Sequence, residues 1–380
     1  MITLTAENVV LYLINKGIYP EHDDPTVKIT SLSGKNFNLR LQFANGQDWL
    51  VKQEAIIDDA CNDDFLGEWA FQSLLRCHPE LSPLRAIVPE VEFYDTENAI
   101  LVCRFLTSYR DLGDYYARAT HPDSAVAQAI AHALGQLHCR TFNQTSYRDW
   151  MHQVDDSIHQ GDRPSTSWGR LGKITPETFG RIRSDAFGFF RWVQHHPEVT
   201  AAIADLANHW QACCVVHQDL KFGNWLWCDA SSEIRLIDWE KVDWGDPLTD
   251  LADVLAAYIN RWLGSCTWEI SSHLQSCLQT ATIPLAALQP SLQTLMQTYY
   301  AAFPAIATVH PDWIIHTVRL IGRELIDRVQ RDIQYYVPLG HQQAATLQLA
   351  QQLVCQPELA SRSIFGMDLA AEFALPAVVA

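Results

Sequence analysis

Val215-Val216-His217-Gln218-Asp219-Leu220-Lys221-Phe222-Gly223-Asn224 is the stretch on which the reading of this chain turns. Asp238 lies fourteen residues beyond Asn224, within Ile237-Asp238-Trp239-Glu240, and Gly245-Asp246-Pro247-Leu248-Thr249-Asp250 follows closely. Short apolar β segments alternate here with polar residues, which places the polar groups at strand ends and turns. An Asp with an Asn five residues on, across a tight loop, offers a carboxylate and an amide oxygen. A second Asp, at the end of the next strand, offers another hard oxygen. Mg²⁺ prefers such donors together with phosphate and water. Phosphoryl transfer needs little else: a carboxylate to orient an attacking hydroxyl, and ligands for the metal that neutralises a triphosphate. Asp246-Pro247 reads as a helix N-cap followed by the first helical residue. Asp250 is expected to brace the preceding loop, and His217 to be structural.

Upstream, a helix is expected over about residues 6–16, capped by Thr5, with Val9, Val10, Leu13 and Ile14 apolar and Gly17 at its end. Strands are expected at Val27–Leu32, Phe37–Phe43 and Trp49–Gln53, the last after the Ala44-Asn45-Gly46 turn. A helix over about 64–76 is followed by strands at Val91–Tyr94 and Ala99–Phe105. Beyond about residue 108 the pattern is helical. Val126, Ile130, Leu134 and Leu137 recur at helical spacing, and further helices are expected near 183–195, 198–212, 249–262, 290–302, 311–333 and 341–354. The expected fold class is α+β: a small β-rich lobe, residues 1–107, then a large mainly helical lobe, residues 108–380, carrying the catalytic loop 215–250.

Bulk properties narrow the function. Lys plus Arg is 27 and Asp plus Glu is 44, a net charge of −17. That balance argues against nucleic acid as a partner. No stretch of about 20 apolar residues suggests a membrane span. The ten cysteines include no C-x-x-C pair, and Cys213-Cys214 lies among apolar neighbours. Reduced thiols and a cytoplasmic location are expected. The N-terminus lacks the basic-then-apolar pattern of a secretory signal.

Taken together, H-x-D-x-x-x-x-N, the strand-borne I-D-W-E and G-D-P-x-x-D resemble the aminoglycoside phosphotransferase and choline kinase branch of the kinase superfamily. The resemblance implies a two-lobed kinase-like fold and transfer of a γ-phosphate from ATP, with GTP also possible as donor, in the presence of Mg²⁺. It implies Asp219 as catalytic base with Lys221 beside it, and Asn224 and Asp238 as metal ligands. Lys52 would hold the α/β-phosphates and Glu68 would hold Lys52. Gly34 and Lys35, in Ser33-Gly34-Lys35-Asn36, would cover the phosphates, and backbone groups of Cys103, Arg104 and Phe105 would meet the base. The phosphate loop has one Gly where kinases often have two or three. No room exists between Asp238 and Asp250 for a long activation loop.

The plainer readings are these. Lys52 could be an exposed edge charge, and Glu54 rivals Glu68. Charges at 319, 323, 324, 327, 328 and 331 read as a solvated ladder of i,i+4 pairs. Trp225, Trp239 and Trp244 would be core or pocket walls. For the acceptor, Ile174-Thr175-Pro176-Glu177, Trp210, Lys221 and Asp238-Trp239-Glu240 resemble the phosphotransferases of the split kinase/lyase systems that make class V lanthipeptides. That implies a precursor peptide phosphorylated on Ser or Thr and a lyase partner. The alternatives are a small-molecule kinase acting on an aminoglycoside, sugar or amino alcohol, and a nucleotide-binding pseudokinase scaffold.

Overall fold

The computed structural model describes residues 2–19, 27–33, 36–43, 46–54, 64–119, 122–156, 158, 171, 187–268, 279–334 and 338–373. It divides into two compact units. One comprises Met1–Leu112, Gln144–Gln160 and Gly223–Asp243; the other comprises Gly113–Asn143, Gly161–Phe222 and Trp244–Ala380.

The first unit is built on an antiparallel sheet. Its strands are β1 (Lys28–Leu32), β2 (Phe37–Gln42), β3 (Asp48–Gln53), β4 (Val91–Asp95) and β5 (Ile100–Arg104), in the order β1-β2-β3-β5-β4. Alternation along β3 divides its side chains between two cores. Trp49 and Val51 join Leu39, Leu41, Ile100 and Val102 beneath α1 (Val9–Asn15), which contributes Val9, Tyr12 and Leu13. Leu50 packs with Phe65, Leu101 and Cys103 on the opposite face, covered by α2 (Asp64–Cys77). Each fully buried Leu, Val or Phe here contributes roughly 1.5–3 kcal/mol. At the start of α1, Asn8 occupies the cap position without a side-chain cap bond, and Thr5 Oγ1 instead accepts from Glu7 N–H at 3.2 Å. Gly17, at φ +70°, ends that helix as expected. A second, smaller sheet joins β6 (Arg110–Asp111), β8 (Trp225–Cys228) and β9 (Glu233–Leu236). The unit also contains a 3₁₀ segment, Pro79–Ile87, and α5 (Thr145–Val154).

Among the described residues, the second unit is helical apart from β7 (Cys214–Val216), which pairs with β10 (Asp243–Gly245). Its helices begin with α3 (Leu112–Arg118), α4 (Ser124–Thr141), α6 (Phe187–His195) and α7 (Pro197–Asn208). They continue with α8 (Pro247–Gly264), α9 (Leu285–Ala302), α10 (Ile306–Val309) and α11 (Trp313–Gln334), then α12 (His341–Cys355), α13 (Pro357–Phe365) and α14 (Leu369–Glu372). Small residues permit the tightest crossings: a Cβ on Gly135 of α4 would lie 2.6 Å from Ala302 Cβ of α9. Asp246 caps α8 by accepting from Leu248 N–H at 3.0 Å, with Pro247 first in the helix. No helix among the described residues is long and apolar enough to cross a membrane.

Candidate active site

In the first unit, Lys52 follows Leu50 by two residues and shares its face of β3, the face under α2. Its ammonium lies 3.3 Å from Glu68 Oε2, and Glu68 is 1% exposed. Burial alone would lower the lysine pKa; Glu68 foremost, with Asp238 also contributing, reverses this and holds it well above its ordinary value. Lys52 is therefore held as a cation, its side chain 13% exposed. Glu54 is engaged elsewhere, its Oε1 accepting from Phe65 N–H at 2.8 Å where α2 begins.

The residue before Glu68 explains how α2 reaches the next element. A Cβ on Gly67 would meet Glu240 O at 3.3 Å and Trp239 O at 3.5 Å. Glycine there lets the helix lie against the 3₁₀ turn Trp239–Lys241, where the Phe71 and Trp239 rings stack with centroids 4.0 Å apart. Trp225, Trp239 and Trp244 are 1%, 0% and 3% exposed, so the suggestion that they line a pocket is corrected: they are core.

The β8–β9 hairpin brings two candidate ligands together. Trp225 pairs with Leu236, and Asn224 O accepts from Ile237 N–H at 2.9 Å, extending the ladder by one step. Asn224 and Asp238 thus flank the same end of the hairpin. Asp238 has φ +69°, a left-handed conformation rare outside glycine and a recurrent mark of functional positions. Its carboxylate and that of Glu240 have oxygens within 4.8 Å. Asn224, Asp238 and Glu240 supply only hard oxygen donors, a set that fits Mg²⁺.

Cys103 is buried on β5, and burial pushes its thiol up to about 12. The N–H groups of Arg104 and Phe105 donate to Glu90 O at 2.9 Å and Asp48 O at 2.8 Å. Gly34, Lys35 and the segment 174–177 lie outside the described residues.

In the second unit, β7 leads into a loop held almost entirely from below. Asp250 accepts from His217 N–H at 2.7 Å through Oδ2 and from Gln218 N–H at 2.9 Å through Oδ1. Gln218 has φ +63°, so this pair of bonds stabilises a conformation that the residue would otherwise rarely adopt. Behind Asp250, His138 Nε2 stands 3.4 Å from Oδ2, and its Nδ1 is 2.9 Å from Tyr299 Oη. His217 is fully buried, and its Nδ1 accepts from Asp219 N–H at 3.3 Å, which places its ring in the loop's scaffold. Lys221 Nζ lies 2.9 Å from Asp219 Oδ2.

Leu220 N–H donates to Asp253 Oδ2 at 2.6 Å. Burial pushes the Asp253 carboxyl up to about 7; Glu324 adds to this and Arg328, 3.5 Å away, opposes it. The charges of α11 are not the solvated ladder that their spacing suggests. Arg323 pairs with Asp327 and Arg331 with Glu324, while the side chains of Arg323, Asp327 and Glu324 are only 12–14% exposed. The i,i+4 spacing is correct for the first pair, but this stretch of helix faces α8 and its Asp253.

Residues 33–266 match the model of the phosphotransferase enzyme family (APH). The chain belongs to this family. It is a phosphotransferase. Among solved structures, the chain is similar to an ethanolamine kinase from Plasmodium vivax, with a TM-score of 0.55 and 12% identity over 94% of this chain and 91% of that one. It is also similar to the macrolide 2′-phosphotransferase MphH from Brachybacterium faecium, at TM-score 0.49 and 14% identity over 93% and 99%. An aminoglycoside phosphotransferase from Alicyclobacillus acidocaldarius gives TM-score 0.49 and 14% identity over 96% of both chains. No curated protein matches the sequence. The likeness to the ethanolamine kinase shows a shared fold: a small antiparallel-sheet lobe and a larger helical one.

Four residues of this region escape a reading of the sequence. Asp253 and Glu240 sit one helical turn and two residues, respectively, from residues that were singled out. His138 and Tyr299 look like ordinary members of apolar helices, and nothing local marks them as supports for Asp250.

Proposed function

We propose that the protein transfers the γ-phosphate of ATP to a hydroxyl group, with Mg²⁺ as cofactor. The observation that carries this reading is the hairpin end that sets Asn224 beside Asp238, fourteen residues apart in sequence, on a chain whose preceding loop holds Asp219. In this reading Asn224 and Asp238, with Glu240 as a third candidate, hold Mg²⁺, which would neutralise phosphate charge. Lys52, kept cationic by Glu68, binds the α- and β-phosphates. Asp219 orients the attacking hydroxyl and takes its proton as the new O–P bond forms and ADP leaves. Lys221, ion-paired with Asp219, fixes that carboxylate and approaches the γ-phosphate. Because the N–H groups of Arg104 and Phe105 are spent within the sheet, the 103–105 stretch would meet a purine through its carbonyl oxygens rather than through those two donors.

For the acceptor, we infer a Ser or Thr hydroxyl of a ribosomal precursor peptide, its phosphate later eliminated by a partner lyase. Lys221 beside Asp219 supports this, as does the short path from Asp238 to the head of α8, which leaves no long activation segment. A small-molecule alcohol is the second reading. It is favoured by the fold shared with a protein named as an ethanolamine kinase. The test is incubation with ATP and Mg²⁺, in parallel, of a Ser/Thr-rich precursor peptide and a panel of aminoglycosides, macrolides, choline and ethanolamine. A mass gain of one phosphoryl group on the peptide supports the first reading. A gain confined to the panel establishes the second, and none anywhere with no ATP consumption defeats both.

A further inference from the structure

Asp246, His310 and His316 form a buried group in the second unit that the proposed phosphoryl transfer does not use. Asp246 Oδ1 caps α8; its Oδ2 accepts from Gln211 N–H at 3.1 Å and lies 3.0 Å from His310 Nε2. The three residues are 1%, 6% and 8% exposed. Despite its closeness to the carboxylate, His310 Nε2 makes no hydrogen bond of acceptable geometry among the described residues and is sealed from solvent. A buried ring nitrogen in that position is costly unless something else engages it. The His310 and His316 rings lie nearly parallel, 22° apart, with centroids separated by 4.9 Å. One ligand atom from each of the three residues falls within 4.8 Å of the other two.

We propose that Asp246, His310 and His316 bind one divalent first-row transition metal ion, of which Zn²⁺ fits best, as a structural site separate from the Mg²⁺ site. Two imidazole nitrogens and one carboxylate are the ligands that zinc selects, whereas an all-oxygen set suits Mg²⁺. Zinc bonds of about 2.0–2.1 Å bring the ligand atoms of a tetrahedral site to roughly 3.3 Å apart. The 3.0 Å between His310 and Asp246 is already near that spacing, and rotation of the His316 ring closes the rest. A plain His310–Asp246 contact is the simpler reading, but it leaves the sealed Nε2 misaligned with the carboxylate 3.0 Å away. The ion would fasten the head of α8 to the α10–α11 junction. Since α8 carries Asp250 and Asp253, the site would position the catalytic loop without touching substrate.

The experiment uses the full-length protein, stripped with a chelator and kept in excess Mg²⁺, titrated with Co²⁺ alone. The expected result is one Co²⁺ per chain, with the intense visible absorption of four-coordinate cobalt, displaced by Zn²⁺, and a rise in melting temperature on loading. His316→Gln and His310→Gln should each weaken Co²⁺ binding by more than about 100-fold, the upper end of what loss of an outer-shell partner costs. Unchanged affinity in a folded His316→Gln variant would overturn the site. Should either variant fail to fold, the wild-type spectrum decides: absent or weak six-coordinate absorption refutes the proposal.

Discussion

At the scale of single residues, the site separates groups that do chemistry from groups that hold them. Asp219→Asn keeps a side chain of the same shape but cannot take the hydroxyl proton. Turnover should fall about 10²–10⁴-fold while ATP affinity and the melting curve stay near wild type. Wild-type-like turnover would remove Asp219 from the mechanism. Asp238→Ala should raise the Mg²⁺ concentration needed for nucleotide binding more than Asn224→Ala does, because a carboxylate neutralises more charge than an amide. Mg²⁺ titrations of the two variants would show this, and equal small shifts would place the metal elsewhere. These residues stand out in the sequence because the candidate donors are compressed into one short segment. His138 does not, because its role arises only when α4 is laid beside α8, bringing its Nε2 within 3.4 Å of Asp250.

At the scale of elements, the contact between α2 and the Trp239–Lys241 turn decides whether Glu68 meets Lys52. Alternation along β3 put Lys52 and Leu50 on one face, and that much the pattern of residues already implied. It could not separate Glu54 from Glu68, since both are acidic and close to the start of α2; the 3.3 Å contact of Lys52 with Glu68 and the bond from Phe65 N–H to Glu54 assign them. Gly67→Val would drive a branched side chain into the carbonyls of Glu240 and Trp239, now 3.3–3.5 Å from where its Cβ would be. Overpacking of this kind typically costs about 1–3 kcal/mol. The expected outcome is a folded protein with a lower melting temperature and a raised KM for ATP. A wild-type KM for ATP would show that α2 can shift without disturbing the Lys52–Glu68 pair. The same logic explains why the charge pattern of α11 misled: a periodic run of Arg, Glu and Asp has the same spacing whether it faces water or the Asp253 carboxylate of α8.

At the scale of the whole molecule, stability should carry the signature of the Asp253 carboxyl. The Asp253 pKa moves from an ordinary 3.8 up to about 7 in the folded protein, so the native state holds a proton that the unfolded chain has lost. Its stabilising contribution is complete below about pH 4 and declines as pH rises toward 7. Asp253→Asn retains an acceptor for Leu220 N–H but cannot ionise. Its melting temperature relative to wild type should therefore climb between pH 4 and 7 and level off above. A difference that does not change with pH would mean that Asp253 is ionised throughout. The fold class and the family were readable from residues 33–266 because strand alternation, one helix and three motifs agree with one another. The helices at 112–118, 145–154 and 357–365 were not, being short and lacking a clean apolar period.

The bonds from His217 and Gln218 to Asp250 have a consequence for exchange with solvent deuterium. Residues 217–221 form no helix or sheet, and amides in such segments ordinarily lose their protons within seconds to minutes. Here two consecutive amide protons are locked onto a carboxylate that is itself 0% exposed. Reaching them requires α8 to part from the loop, which amounts to opening the core of the helical unit. In a residue-resolved exchange experiment these two positions should label as slowly as the centre of α8, although they belong to no helix or sheet.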